Sequence, residues 1–122
     1  MIAIVDYGIG NLNSIRNMLN KIGVECTITS SPEAIGQARK LIMPGIGAFD
    51  AGMAQLTASG LIPLLNEKVL NQKTPILGIC LGMQALFETS EEAPGVRGLA
   101  LLTGEIKRFL IGDRCMPVYS GQ

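Results

Sequence analysis

Residues 75–84 read Pro75-Ile76-Leu77-Gly78-Ile79-Cys80-Leu81-Gly82-Met83-Gln84. An apolar run of strand character meets a cysteine framed by two glycines. A lone cysteine in an apolar run is ordinarily an inert core thiol. Gly-x-Cys-x-Gly at a strand-to-helix junction instead has the layout of a nucleophile elbow, with sulfur in place of the serine oxygen. The glycines then have a steric purpose, because the turn brings neighbouring backbone close to the central residue. Cys80 would sit at a helix N-terminus, whose partial positive charge favours thiolate. The N–H of Leu81 would point where an oxyanion develops. The framing glycines favour the nucleophile.

Working outward, the same alternation of short apolar strands and helices recurs. Ile2 to Val5 is a buried strand closed by Asp6-Tyr7-Gly8. Ile15, Met18, Leu19 and Ile22 fall at i, i+3, i+4 and i+7, the stripe of an amphipathic helix that Gly23 ends. A second strand is predicted over 25–29, a short helix opened by Ser31-Pro32-Glu33, and a third strand over 40–43. Helices are predicted over 49–59 and 63–71, and a fourth strand over 75–79 leads into the elbow. Such βαβ alternation predicts an α/β fold, a doubly wound and mostly parallel sheet. Past Glu88 the chain changes character: a polar loop over 90–95 precedes two candidate strands, 99–102 and 105–109.

Ligands of open α/β sheets bind beyond the carboxyl ends of the strands. Three stretches lie at such ends: 6–14, 44–50 and 78–84. Gly8-Ile9-Gly10 suggests a dinucleotide-binding turn, but the third glycine of that fingerprint is replaced by Asn13, so a tight glycine turn is preferred. Pro44-Gly45-Ile46-Gly47 alternates glycines between a strand and a helix. It suits either an anion-binding nest of backbone N–H groups or a plain turn, and the elbow tips the balance toward the nest.

Composition narrows the function classes. The 122 residues make one domain at most, and ten basic and ten acidic side chains cancel, so neither nucleic acid nor an anionic membrane is indicated as a partner. No apolar run reaches the roughly 18 residues of a membrane span. No basic region precedes the first apolar stretch, so no secretory signal is expected. Three scattered cysteines (Cys26, Cys80, Cys115) without any histidine make neither a disulfide framework nor a metal site. A cytoplasmic protein with reduced thiols is expected. Only 16% of residues are charged, against about 25% in an ordinary soluble domain, which suggests surface hidden against a partner.

The segment Gly78-Ile79-Cys80-Leu81-Gly82-Met83-Gln84 resembles the nucleophile motif of class I (triad) glutamine amidotransferases. Asp6-Tyr7-Gly8-Ile9-Gly10-Asn11-Leu12-Asn13-Ser14 and Pro44-Gly45-Ile46-Gly47-Ala48-Phe49 narrow the resemblance to the glutaminase subunits of imidazole glycerol phosphate synthases, from Met1 to about Phe109. Relatives serving anthranilate or aminodeoxychorismate synthesis usually carry Pro-Gly-Pro-Gly in the oxyanion loop and His where Met83 stands. The resemblance implies a flavodoxin-like amidotransferase domain, with Cys80 attacking the side-chain amide of glutamine. Leu81 N–H and the backbone of Gly45, Ile46 and Gly47 would form the oxyanion hole, and Gln84 would help hold the substrate. It further implies ammonia delivery to a (β/α)8-barrel cyclase in a heterodimer, with no cofactor and no metal.

Two departures stand beside this. The family completes its site with a late His-x-Glu pair, and this sequence contains no histidine. Losing the base of a triad costs on the order of 10⁴–10⁶ in rate, so impaired glutamine hydrolysis is expected. The family's Pro-His-Met-Gly-Trp-Asn segment has only a loose echo in a divergent tail, residues 110–122. The expectation is therefore the N-terminal portion of the amidotransferase domain, incomplete on its C-terminal side and poorly soluble alone. Two alternatives remain: a glutaminase for aminodeoxychorismate or anthranilate synthesis, and a non-catalytic amidotransferase-like binding module.

Overall fold

The apolar, β-branched segment at the start of the chain forms β1 (Ile2–Val5), the centre of a parallel sheet. The computed structural model describes residues 1–107 together with the backbone of 109–111 and 114–116. Along it follow α1 (Leu12–Lys21), β2 (Cys26–Thr29), α2 (Pro32–Gln37), β3 (Lys40–Met43), α3 (Phe49–Ser59), α4 (Ile62–Asn66), β4 (Ile76–Gly78) and α5 (Leu81–Gln84). The four strands pair in the order β2-β1-β3-β4, all parallel, as the βαβ alternation predicts. Beyond α5, β5 (Thr89–Ser90) pairs in parallel with β6 (Glu105–Ile106), and β7 (Phe109–Ile111) pairs antiparallel with β8 (Arg114–Met116). Among the described residues no helix is long and apolar enough to cross a membrane.

Side chains alternate across the sheet. Ala3, Val5, Leu41 and Met43 face the main core, where they meet Ile35 of α2, Phe49, Met53 and Leu56 of α3, and Leu65 of α4. The other face carries Ile28, Ile4, Ile42 and Leu77, aligned by register across all four strands. No residue of α1 joins the main core, and α1 packs on β2, so it is the helix of this second face.

Local chemistry explains most element ends. Asn11 caps α1 by accepting from Ser14 N–H (3.3 Å), and Ser31 caps α2 ahead of Pro32. Gly60, with φ 73°, closes α3 in the left-handed conformation. At the other end of α2, the buried Lys68 donates from Nζ to the carbonyls of Gly36 (2.9 Å) and Ala38 (2.7 Å), occupying acceptors that a helix end leaves orphaned.

Four expectations change. The helix over 63–71 is α4 continued by a π-helical turn, Glu67–Asn71, which presents Lys68 to α2. The stretch 99–102 is not a strand: Leu99, Ala100 and Leu102 donate to the carbonyls of Ala85, Phe87 and Leu86, so it straps the end of α5. Ala100 turns the strap with φ 55°. The predicted strand 105–109 has its ends in two strands, β6 and β7. The α1 stripe is only partly buried, because Leu12, Ile15 and Leu19 approach the sheet while Met18 and Ile22 remain exposed. Of the divergent tail 110–122, positions 112, 113 and 117–122 lie outside the described residues.

Candidate active site

Cys80 stands directly between β4 and α5 with φ 53° and ψ −120°, backbone space that non-glycine residues avoid. The two framing glycines explain how this conformation is held. A Cβ on Gly82 would run into the carbonyls of Met43 and Pro44, and one on Gly78 would run into the backbone of Met83. Neither neighbour is a flexible side-chain end. The elbow is therefore wedged against the end of β3, and glycine is the only residue that fits at either flank. The turn is closed by Gly82 N–H to the Ile79 carbonyl (2.9 Å) and by Met83 and Gln84 N–H to the Cys80 carbonyl (2.9 and 3.1 Å).

The three sheet-end stretches converge. Gly10 approaches Pro44 and Gly45 so closely that its Cβ would lie 3.4 Å from Gly45 N, and Gly45 is pressed between Tyr7 and Leu81-Gly82. Tyr7, buried at the end of β1, donates its hydroxyl to the Pro44 carbonyl (2.5 Å), so the first strand fixes the start of the glycine loop. Burial of that phenol pushes its pKa up to about 12. Gly8 and Gly10 both have positive φ, at 93° and 120°, which fits a tight glycine turn.

The far end of the loop is held from elsewhere in the chain. Ala48 precedes α3 without any side-chain cap. Glu92, 43 residues away, supplies the acceptor instead: its Oε2 receives Phe49 N–H at 2.9 Å. Glu92 is itself placed by the buried Ser90, whose hydroxyl accepts its N–H (3.2 Å). A carboxylate at a helix N-terminus is favoured by the exposed N–H groups and the helix dipole. In the middle of α3, Gly52 lets Leu81 approach, since a Cβ there would lie 2.6 Å from Leu81 Cδ2. The elbow thus rests on α3 as well as on β3.

Of the residues singled out in the sequence, Cys80 is half-buried, Leu81 and Gly45 are buried beside it, and Gln84 ends α5, half-buried. Ile46 and Gly47 are exposed at the crown of the loop, Gly47 with φ 99°. In this conformation the Leu81 N–H expected to face an oxyanion donates to the Gly45 carbonyl (3.2 Å). Sequence reading missed Tyr7 and Glu92 as supports. The signal for Glu92 was an uncapped helix start at Ala48, which calls for a distant acceptor. A polar cleft of about 430 Å³ is lined by Asp6, Tyr7, Ser30, Gln55 and Ser59 among others and does not include Cys80.

A parallel α/β sheet with a strained cysteine elbow beside a glycine loop is the arrangement of a class I glutamine amidotransferase. The chain belongs to that family: the model of "Glutamine amidotransferase class-I" matches residues 3–118. Among curated proteins it is 50% identical over 114 residues to "Imidazole glycerol phosphate synthase subunit HisH 2" of Methanococcus maripaludis, covering 93% of this chain and 56% of that protein. It is 47% identical to the HisH subunit of Exiguobacterium sibiricum, over 89% of this chain and 55% of that one. With the HisH subunit of Methanothermobacter thermautotrophicus it shares 46% identity, over 93% and 56%. The chain therefore spans little more than half the length of these relatives. A crystal structure described as that of glutamine amidotransferase superposes with a TM-score of 0.74, over 88% of this chain and 57% of its own. At 19% identity, that likeness speaks for the fold alone.

Proposed function

We propose that the chain takes glutamine at the Cys80 elbow and opens its side-chain amide, as the glutaminase part of an imidazole glycerol phosphate synthase. The observation that carries this reading is the Cys80 backbone, φ 53° and ψ −120°, held by two glycines whose places admit no side chain. In the reaction, Sγ bonds to the amide carbon, the C–N bond breaks and ammonia leaves with an added proton. Water then cleaves the thioester, releasing glutamate and restoring the thiol. Leu81 N–H and the Gly45-Ile46-Gly47 backbone stabilise the oxyanion after the Gly45 carbonyl turns away from Leu81, and Gln84 helps hold the substrate. The ammonia passes to a (β/α)8-barrel cyclase that forms imidazole glycerol phosphate in histidine biosynthesis, in the cytoplasm. The relatives' names, each a subunit of such a synthase, support the partner and the pathway.

The proton transfers have no histidine to serve them, since the chain has none. That absence, together with the engaged Leu81 N–H, favours as a second reading a module that binds glutamine without turning it over. A diazoketone analogue of glutamine separates binding from chemistry. Its expected product is one adduct on Cys80, slowed by excess glutamine and absent from Cys80→Ala. Labelling spread over Cys26 and Cys115, or indifferent to glutamine, would overturn the glutamine site. Glutamate release measured with the cyclase present then distinguishes the glutaminase from the binding module.

A further inference from the structure

The cleft of about 430 Å³ is built where Asp6, Tyr7 and Gly8, just past β1, meet Ser30, just past β2, and Gln55 and Ser59 of α3. Small-molecule sites occupy roughly 300–1,000 Å³, so the size suits a ligand. Its place in the fold suits one too. β1 and β2 are neighbours, yet β1 leads into α1 on the second face while β2 leads into α2 on the main core. A crevice opens at the carboxyl ends of an α/β sheet where adjacent strands send the chain to opposite faces, and ligands bind there. Cys80 is not part of this cleft.

Local turns set its polar groups. Asp6 N–H extends the β1–β2 ladder to the Thr29 carbonyl (3.0 Å), and Asp6 Oδ1 accepts Gly8 N–H (3.1 Å), which orients the carboxylate. Its other oxygen has no partner among the described residues. Thr29 Oγ1 accepts Ser31 N–H (2.9 Å), and the turn this closes leaves Ser30 exposed, its hydroxyl unpaired among the described residues. Gly8, with φ 93°, makes room for the Gln55 amide, since a Cβ there would lie 3.3 Å from Gln55 Oε1. That amide has no hydrogen-bond partner among the described residues, whereas the Ser59 hydroxyl is engaged by Leu56 and Leu61. One carboxylate oxygen, one hydroxyl and one primary amide are therefore free to bind. No lysine or arginine lines the cleft, so the Asp6 carboxylate disfavours an anion. An apolar molecule would leave all three groups desolvated and unpaired. A cation would satisfy the carboxylate but set positive charge against the N–H groups of Gln55. Adjacent hydroxyls match the whole set, donating to the carboxylate and accepting from the amide and from Ser30. We propose that this cleft binds a small neutral polyol, recognised through a vicinal diol by Asp6, Ser30 and Gln55. The site stands on its own groups and does not depend on the glutaminase reading.

The test is ligand-observed saturation-transfer NMR on the 122-residue chain, which needs little soluble protein. The probe is methyl β-D-ribofuranoside, a neutral sugar whose locked ring carries a cis-diol. Saturable binding is expected, weakened at least about 10-fold for the 2-deoxy glycoside, which lacks the diol. Asp6→Asn should weaken the parent sugar as much, because a charge-assisted hydrogen bond is lost while the oxygen that accepts Gly8 N–H remains. Gln55→Ala, at an exposed position of α3, is a second variant that keeps the fold and should also weaken binding, with circular dichroism as the check. No saturable binding, equal binding of the 2-deoxy glycoside, or unchanged binding by both variants would overturn the proposal. Displacement of the sugar by tetramethylammonium or by sulfate would overturn the diol chemistry. Excess glutamine should leave the sugar bound, and competition would place the sugar at the elbow and overturn a separate site.

Discussion

Replacing Cys80 by alanine and by glycine should separate the strain of the elbow from the chemistry of the thiol. Both variants lose sulfur, so their difference isolates the backbone. Alanine at φ 53°, ψ −120° keeps the conformational penalty, on the order of 1–3 kcal/mol for a non-glycine residue in such space. Glycine removes the penalty and adds a conformational-entropy cost of about 0.5–1 kcal/mol in the unfolded chain. The net expectation from the middle of these ranges is Cys80→Gly more stable than Cys80→Ala by about 1 kcal/mol, with about 2.5 kcal/mol as the upper bound, or roughly 4 °C in Tm per kcal/mol for a domain of this size. Equilibrium urea unfolding and thermal melts of the two variants measure it directly. Ala54→Gly, on the exposed side of α3, is the control and should go the other way, losing about 1 kcal/mol. The reasoning fails if Cys80→Gly is no more stable than Cys80→Ala, because the elbow would then store no strain and the glycine frame would have another purpose.

Tyr7→Phe should cost about 1–3 kcal/mol by orphaning the Pro44 carbonyl. It should also abolish an alkaline slope: the folded phenol titrates at about 12 against an ordinary 10.0, so its stabilisation is complete below pH 10 and is lost between pH 10 and 12. That loss amounts to up to roughly 1.4 kcal/mol per pH unit in denaturant titrations across the window. Lys68→Met keeps the apolar stem but removes both hydrogen bonds to the α2 carbonyls. A loss of about 2–3 kcal/mol is expected in urea unfolding, and a neutral result would show that water satisfies those carbonyls instead.

Much of the local order was legible because short-range chemistry decides it. β1, β3 and α3 fall where the apolar runs and the glycine breaks put them. Ser31-Pro32 starts a helix because a cap and a fixed φ suffice for that. The elbow, too, could be read from Gly78 and Gly82, since a turn that tight leaves no room for side chains on either flank. Failures occurred where the partner was distant. Leu99 to Leu102 has the composition of a strand, yet N–H groups of Leu99, Ala100 and Leu102 are taken by the carbonyls of Ala85, Phe87 and Leu86 just past α5, and no local pattern announces that competition.

The sequence by itself determined that the fold is a parallel α/β sheet and that Cys80 stands on a turn at its carboxyl edge, because periodicity and glycine sterics act over a few residues. Only the tertiary structure decided how the edge is assembled: Tyr7 holding Pro44, Glu92 capping α3 across 43 residues, and the Gly45 carbonyl occupying the Leu81 N–H. The 58% exposure of Leu77 was likewise decided only there, since whether an apolar residue is covered depends on which elements surround it and not on its neighbours in sequence.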